Sequence, residues 1–244
     1  MKLSFRVGAA TISGSRHANQ DRLLNCADEK EGRMLFAVFD GVTNSVTIKG
    51  DGAVAADAAL NLLRDSDPEM RLSEAVREVH RRMLEMKRYV PTIGETTVVA
   101  ARITGNMVEI ANVGDSTAHL LRAGKMRRLY TPDLGYFGGL AQALGYDEDM
   151  KVHRRSVTMI PNDILVLASD GLMKRIKSYI WPREGNMDKY VTRTILTYNE
   201  ILTAIDGSPQ MDGAAEKLLN DASKKRSDID DDRTVIVIRA LRAD

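Results

Sequence analysis

The stretch that most constrains this chain is Met34-Leu35-Phe36-Ala37-Val38-Phe39-Asp40-Gly41. Six apolar residues run without a break, with charge before them and an acid-glycine pair after. The run is too short for a buried helix and lacks the polar alternation of a half-exposed strand. It predicts a strand buried on both faces, so the fold must cover its sheet from two sides. The strand leaves the sheet at Asp40, and Gly41 lets backbone approach whatever Asp40 holds. A simple Asp-Gly turn would explain the pair alone, but the pattern returns at Ile164-Leu165-Val166-Leu167-Ala168-Ser169-Asp170-Gly171.

The 244 residues can bury a sizeable core without disulfides or structural metal. With no internal repeat and no long linker, residues 1–244 are read as a single domain. A formal net charge of +1 gives no electrostatic case for nucleic acid or a membrane surface. The single cysteine, Cys26, rules out an internal disulfide, fits a reducing compartment and reads as a small buried apolar residue. The first residues alternate rather than forming an apolar signal core, and no apolar run approaches the ~18 residues of a membrane span. A soluble, cytoplasmic protein is expected.

Phe5, Val7 and Ala9 alternate as a first strand, and Leu23 to Cys26 is a possible second, joined by a charged turn at 28–33 to the opening run. Ala53 to Leu63 and a segment capped by Ser73 and running to Lys87 predict two helices, the second with a stripe of Val76, Val79, Met83 and Met86. Thr97–Ile103, Val108–Val113, Ala118–Leu121 and Met126–Tyr130 predict an antiparallel meander with Asp115 at one bend. Val152–Met159 and Ile164–Ala168 are further strands, Asp188–Ile205 and Asp212–Lys225 are helices, and Thr234–Ile238 is the last strand. Strands in runs and helices in blocks predict an α+β, four-layer α-β-β-α sandwich: two antiparallel sheets flanked by helices.

Four acids stand at strand ends or bends: Asp40, Asp115, Asp170 and Asp231. If the sheets bring them to one edge, they repel. Two unit charges ~4 Å apart cost roughly 4 kcal/mol at an effective dielectric of about 20. Either the acids protonate or a cation lies between them. An all-oxygen site suits Mg²⁺ or Mn²⁺, and a pair of such ions activates a shared water and clamps a phosphoryl group. Four histidines outside any zinc spacing, and one cysteine, argue against zinc. Arg16, in a polar loop, offers a guanidinium that can hold a phosphate. Each residue alone reads more simply as a turn or solvated loop residue; the set and its order carry the argument.

Seven segments share an order with a known family: Arg16-His17-Ala18-Asn19-Gln20-Asp21, Phe39-Asp40-Gly41, Gly94-Glu95-Thr96-Thr97, Asn112-Val113-Gly114-Asp115-Ser116, Gln142-Ala143-Leu144-Gly145, Ser169-Asp170-Gly171-Leu172 and Asp231-Asp232-Arg233-Thr234. In these the chain resembles the metal-dependent protein Ser/Thr phosphatases of type 2C. The resemblance implies a signalling hydrolase with a centre of two Mn²⁺ or Mg²⁺ ions and a looser third. In it Asp40 would bridge the pair, the Gly41 carbonyl would be a ligand, and Asp170 and Asp231 would complete one shell. Asp115, with Asp170, would serve the third site, Asp21 would anchor metal-bound waters, and Arg16 would bind phosphate. A bridging hydroxide would attack phosphorus directly, with no phosphoenzyme. The implied partner is a phosphorylated protein within a Ser/Thr kinase system, with no nucleic acid or membrane.

The chain departs from the family pattern at four places. Gln20 replaces a glutamate beside Asp21. Val42-Thr43-Asn44-Ser45 replaces the usual glycines after Gly41, and Val42 cannot act as a proton donor. Asp232 stands where asparagine is usual, adding a charge that could offset Gln20. The 132–140 flap is short, while 173–210, with Trp181 and Tyr190, is long and is expected either to shape partner choice or merely to pack. Two alternatives stay open: a catalytically impaired regulatory relative, and a phosphomonoesterase acting on a small molecule.

Overall fold

The computed structural model describes residues 2–15, 18–28, 33–42, 50–135, 139–180, 187–225 and 231–243, with backbone only at 28, 33, 173–180 and 187–194. The strands are β1 (Leu3–Ile12), β2 (Arg22–Asp28), β3 (Arg33–Phe39), β4 (Val98–Thr104), β5 (Met107–Val113), β6 (Thr117–Arg122), β7 (Lys125–Arg128), β8 (His153–Thr158), β9 (Ile164–Ala168), β10 (Met173–Ile180), β11 (Met187–Thr194) and β12 (Arg233–Arg242). The helices are α1 (Gly52–Arg64), α2 (Leu72–Tyr89), α3 (Tyr198–Asp206) and α4 (Met211–Lys225). Two five-stranded antiparallel sheets, ordered β1-β12-β9-β6-β7 and β2-β3-β4-β5-β8, form the two inner layers. Helices α1 and α2 cover the second sheet, while α3 and α4 cover the first.

The opening run is buried on both faces, as expected. Phe36 and Val38 point into the layer between the sheets, with Val99, Ile103, Leu165, Leu167, Ile236 and Ile238. Ala37 and Phe39 point the other way, against Ala55, Ala59, Leu63, Val76 and Met83 of α1 and α2. Its echo β9 is built alike: Leu165 and Leu167 face the sheets' interface, and Ile164, Val166 and Ala168 face α3 and α4. Burying each large side chain contributes about 1.5–3 kcal/mol, so these strands anchor the stack and fix where their C-terminal ends emerge.

Four expectations change. The meander is two hairpins in different sheets, β4-β5 and β6-β7. Gly114-Asp115-Ser116 is therefore a corner between sheets; β4, β5 and β6 around it are buried on both faces, so hydrophobic pattern alone does not assign them to one sheet. The helix expected over Asp188–Ile205 is strand β11 followed by a shorter α3. The run Tyr190-Val191-Thr192 favours strand, and α3 starts at a capping box in which Thr197 and Glu200 satisfy each other's backbone amides. Ser73 lies inside α2, whose cap is Arg71, because burial of Leu72 pulls the first turn two residues earlier. Met86 is 36% exposed and leaves the apolar stripe, which ends at Met83.

Strands β10 and β11 form a separate two-stranded sheet. The segment leaves and returns at neighbouring points, because the Ile195 amide donates to the Leu172 carbonyl at 3.1 Å. Among the described residues, no helix is long and apolar enough to cross a membrane.

Candidate metal centre

Antiparallel pairing brings the C-terminal ends of β3, β5 and β9 and the N-terminal ends of β4 and β12 to one edge of the stack. The Asp40 backbone is locked there. Its carbonyl accepts from the Thr97 amide at 2.8 Å and from the Thr96 hydroxyl at 2.9 Å. The Val42 amide donates to the Glu95 carbonyl at 2.9 Å. Glu95 is itself buried and takes a 3.2 Å bond from Lys87, which also donates to the Gly145 carbonyl at 2.6 Å.

Both Asp-Gly pairs need their glycine because other backbone lies against it. A β-carbon on Gly41 would stand 2.5 Å from the Gly52 carbonyl, and one on Gly171 would stand 2.2 Å from that of Asp232. The close approach is of chain to chain, which holds the adjacent aspartate at a fixed point.

The Asp115 corner is buttressed from below. The Gly114 amide donates to Asp133 Oδ2 at 3.1 Å, and the Asp133 amide returns a 3.0 Å bond to the Gly114 carbonyl. Asp133 Oδ1 pairs with His153 Nε2 at 2.7 Å, and Tyr130 stacks on that ring. The Tyr130 hydroxyl donates to the Ser116 carbonyl at 2.6 Å, and the Ser116 and Thr97 hydroxyls share a 2.6 Å bond. Asp170 follows Ser169, whose amide donates to the Thr234 carbonyl at 3.1 Å and whose hydroxyl accepts the Thr234 amide at 2.9 Å.

One carboxylate oxygen from each of Asp40, Asp115 and Asp170 lies within 4.8 Å of the others. Burial pushes the Asp40 carboxyl well up, and the charges of Asp21, Asp170, Asp115 and Asp231 add to the rise. Asp231 thus lies within electrostatic reach of the trio. Asp21 lies beneath it, 3% exposed, and neither of its oxygens completes a hydrogen bond. Burial lifts its pKa to about 7; the Thr234 and Ser169 hydroxyls offset part of the rise, and Asp232 and Asp170 add to it. The Thr234 hydroxyl also shares a 2.7 Å bond with that of Thr11, and the Ser169 hydroxyl accepts the Thr234 amide. A recess of gathered carboxylates over an orphaned buried acid fits hard divalent cations, which would reverse these upward shifts.

Of the expected site residues, Asp40, Gly41, Asp115, Asp170, Asp231 and Asp21 gather at this edge, while Arg16 lies outside the described residues, as do 43–45. Asp232 stands at the same edge, and its charge reaches Asp21. Its two oxygens accept the Gly14 amide at 2.8 Å and the Gln20 amide at 2.7 Å, so it braces the loop on both sides of Arg16. Sequence reasoning gave no role to Thr96, Asp133, His153 or Tyr130; only adjacent polar residues entering an apolar strand, Glu95-Thr96-Thr97, hinted at the first.

Two sheets sharing an acidic edge under paired helices define a phosphatase-type α-β-β-α sandwich. Residues 30–241 match the family described as Stage II sporulation protein E (SpoIIE), and the chain belongs to that family, a type 2C-like domain. A serine/threonine phosphatase stp of Listeria innocua is 27% identical over 209 residues, covering 72% of this chain and 79% of its own. Stp1 from Staphylococcus aureus superposes with a TM-score of 0.76 at 17% identity, over 100% of this chain and 98% of that one. The catalytic domain of the serine/threonine phosphatase PstP, solved with two manganese ions, superposes with a TM-score of 0.69 at 22% identity, over 98% and 100%. At those identities the structures establish the fold; these relatives and neighbours are serine/threonine protein phosphatases.

Proposed function

We propose that residues 1–244 form one phosphatase domain that hydrolyses phosphoserine and phosphothreonine on proteins, in the cytoplasm and opposite a Ser/Thr kinase. The observation that carries this reading is the convergence of Asp40, Asp115 and Asp170 within 4.8 Å. Two Mn²⁺ or Mg²⁺ ions held there would supply an activated water and charge neutralisation for the phosphoryl oxygens.

The chain's own residues have separate tasks. Asp40 would bridge the pair, and its backbone lock to Thr96 and Thr97 holds its Cα in place. Asp170 and Asp231 would complete one ion's shell, and the Gly41 carbonyl would be a further ligand. Asp115 would serve a third, looser site, and Asp21 would order water beneath the pair. Arg16 orients the phosphoryl group, with its loop tethered by Asp232. Cys26 packs half-buried against the helix-side core, which supports direct attack by water over a covalent intermediate.

The test is hydrolysis of p-nitrophenyl phosphate with Mn²⁺, with and without chelator, in wild type and Asp40→Asn. Chelator should abolish turnover, and Asp40→Asn should lower it by more than the ~10- to 100-fold typical of losing an outer partner of a metal ligand. Metal-independent turnover, or full activity in Asp40→Asn, would sink the reading. No turnover with any divalent ion would favour a regulatory relative, and preference for metabolite phosphates over phosphopeptides would favour a small-molecule esterase.

A further inference from the structure

A second polar recess lies where the start of α2 meets β5 and the edge strand β8. It is a groove of about 360 Å³ lined by Arg71, Leu72, Ser73, Glu109, Ile110, Arg154, Arg155 and Ser156. Arg71 and Arg154 share it with one carboxylate, Glu109, in a chain whose overall charge is almost balanced. Asp115 is six residues beyond Glu109, so the groove lies about 20 Å from the acidic edge at ~3.3 Å per strand residue. It is therefore a separate place with the opposite sign of charge.

Three features of the groove point to an oxyanion. It contains the start of α2, an 18-residue helix whose cap, Arg71, makes no side-chain capping bond. The Leu72 and Ser73 amides have no intrahelical acceptor and carry partial positive charge, whereas the Glu74 amide already donates to the Arg71 carbonyl at 2.9 Å. Ser73, in the first turn, is 8% exposed, yet its hydroxyl has no hydrogen-bond partner among the described residues and lines the groove. The hydroxyl is open to the groove and is not sealed in the core, so it can donate to whatever enters. Finally, the side chains of Arg71 and Arg154 make no hydrogen bond or ion pair among the described residues, so their donor forks are available; Arg155 spends part of its own on the Leu129 carbonyl.

We propose that this groove binds a phosphoryl group. A tetrahedral oxyanion has enough acceptor oxygens to meet donors from several directions at once: helix amides, the Ser73 and Ser156 hydroxyls and two guanidinium forks. A chloride ion can use few of them, and a planar carboxylate lacks the third oxygen. Glu109 adds selectivity, since it accepts a proton-bearing oxygen of a monoanion and repels an unprotonated carboxylate. The phosphoryl group is either free inorganic phosphate or one carried on a protein chain. The edge strand β8, which contributes Arg154 and Ser156, has an open hydrogen-bonding side on which an extended peptide can pair.

The test is ¹H–¹⁵N NMR of the full chain in chelator, which keeps metal out of the acidic edge and makes the result independent of catalysis. Titration with sodium phosphate should shift the Leu72, Ser73 and Glu74 amides saturably, while sodium chloride at matched ionic strength should not. Arg71→Ala/Arg154→Ala should weaken binding at least tenfold with an unchanged melting temperature. Ser73→Ala, which suits a helix, should weaken it severalfold and serves if the double variant fails to fold. Non-saturating shifts, equal shifts with chloride, or undiminished binding by the folded variants would overturn the proposal. A second arm compares a phosphoserine peptide, its unphosphorylated form and inorganic phosphate. Tenfold tighter binding of the phosphopeptide than of phosphate assigns the site to protein-borne groups, and equal or weaker binding assigns it to free phosphate. Equal binding of both peptides would overturn it.

Discussion

Asp21 shows at the scale of one residue what the acidic edge imposes on the fold. Its carboxyl titrates near 7 when folded without metal, against 3.8 ordinarily. A folded-state pKa above the unfolded one means that the folded chain holds the proton more tightly. Stability is thus fully present below about 4 and is lost as pH rises through 7. The span corresponds to roughly 4 kcal/mol at most. In chelator, the melting temperature should fall between pH 5 and 8, Asp21→Asn should flatten the fall, and Mn²⁺ should restore the wild type; a wild-type profile flat in chelator would contradict this. His119 works in the opposite sense. Burial, helped by Arg128, lowers it to about 4, so its contribution is fully present above 6.5 and is lost as pH falls toward 4. Exchanging it for glutamine should blunt acid destabilisation between pH 6.5 and 4.5 by about 2 kcal/mol, read from denaturant titrations.

At the scale of elements, the centre depends on corners as much as on strands. Asp133 fastens the Asp115 corner to His153 on β8, so the edge strand of one sheet steadies the passage to the other. Asp133→Ala leaves the Gly114 amide and the His153 ring without their acceptor. It should cost about 1–3 kcal/mol of stability and lower kcat/KM for p-nitrophenyl phosphate by ~10- to 100-fold. Activity equal to wild type would show that the corner holds itself. This buttress was not legible from sequence, because Asp133, His153 and Tyr130 are scattered and ordinary until the fold joins them. The four acids were legible because each interrupts or borders an apolar strand. The β10-β11 pair was misread for a different reason: its residues follow neither period cleanly, and a helix start downstream at Thr197 was extended backward over them.

For the whole molecule, stability is shared among three cores, one between the sheets and one under each helix pair. The β10-β11 sheet is joined to neither five-stranded sheet. Replacing 173–194 by a short Gly-Ser turn should therefore leave a cooperative fold, with the melting temperature within a few degrees of wild type, checked by calorimetry. Shortening a loop costs little in closure entropy, and the Leu172–Ile195 bond already holds the ends together. Loss of folding would show that the hairpin is structural.

The same bond makes residues 172 and 195 a socket. A segment plugged in there begins three residues after Asp170 and cannot disturb the register of β9 or β12, whose pairing lies on the other side of the 3-10 turn at Asp170–Leu172. Descent with this architecture can therefore exchange recognition arms beside the chemistry while the chemistry stays fixed. An engineer could use the same position to graft a docking peptide or a fluorescent reporter at the mouth of the acidic edge.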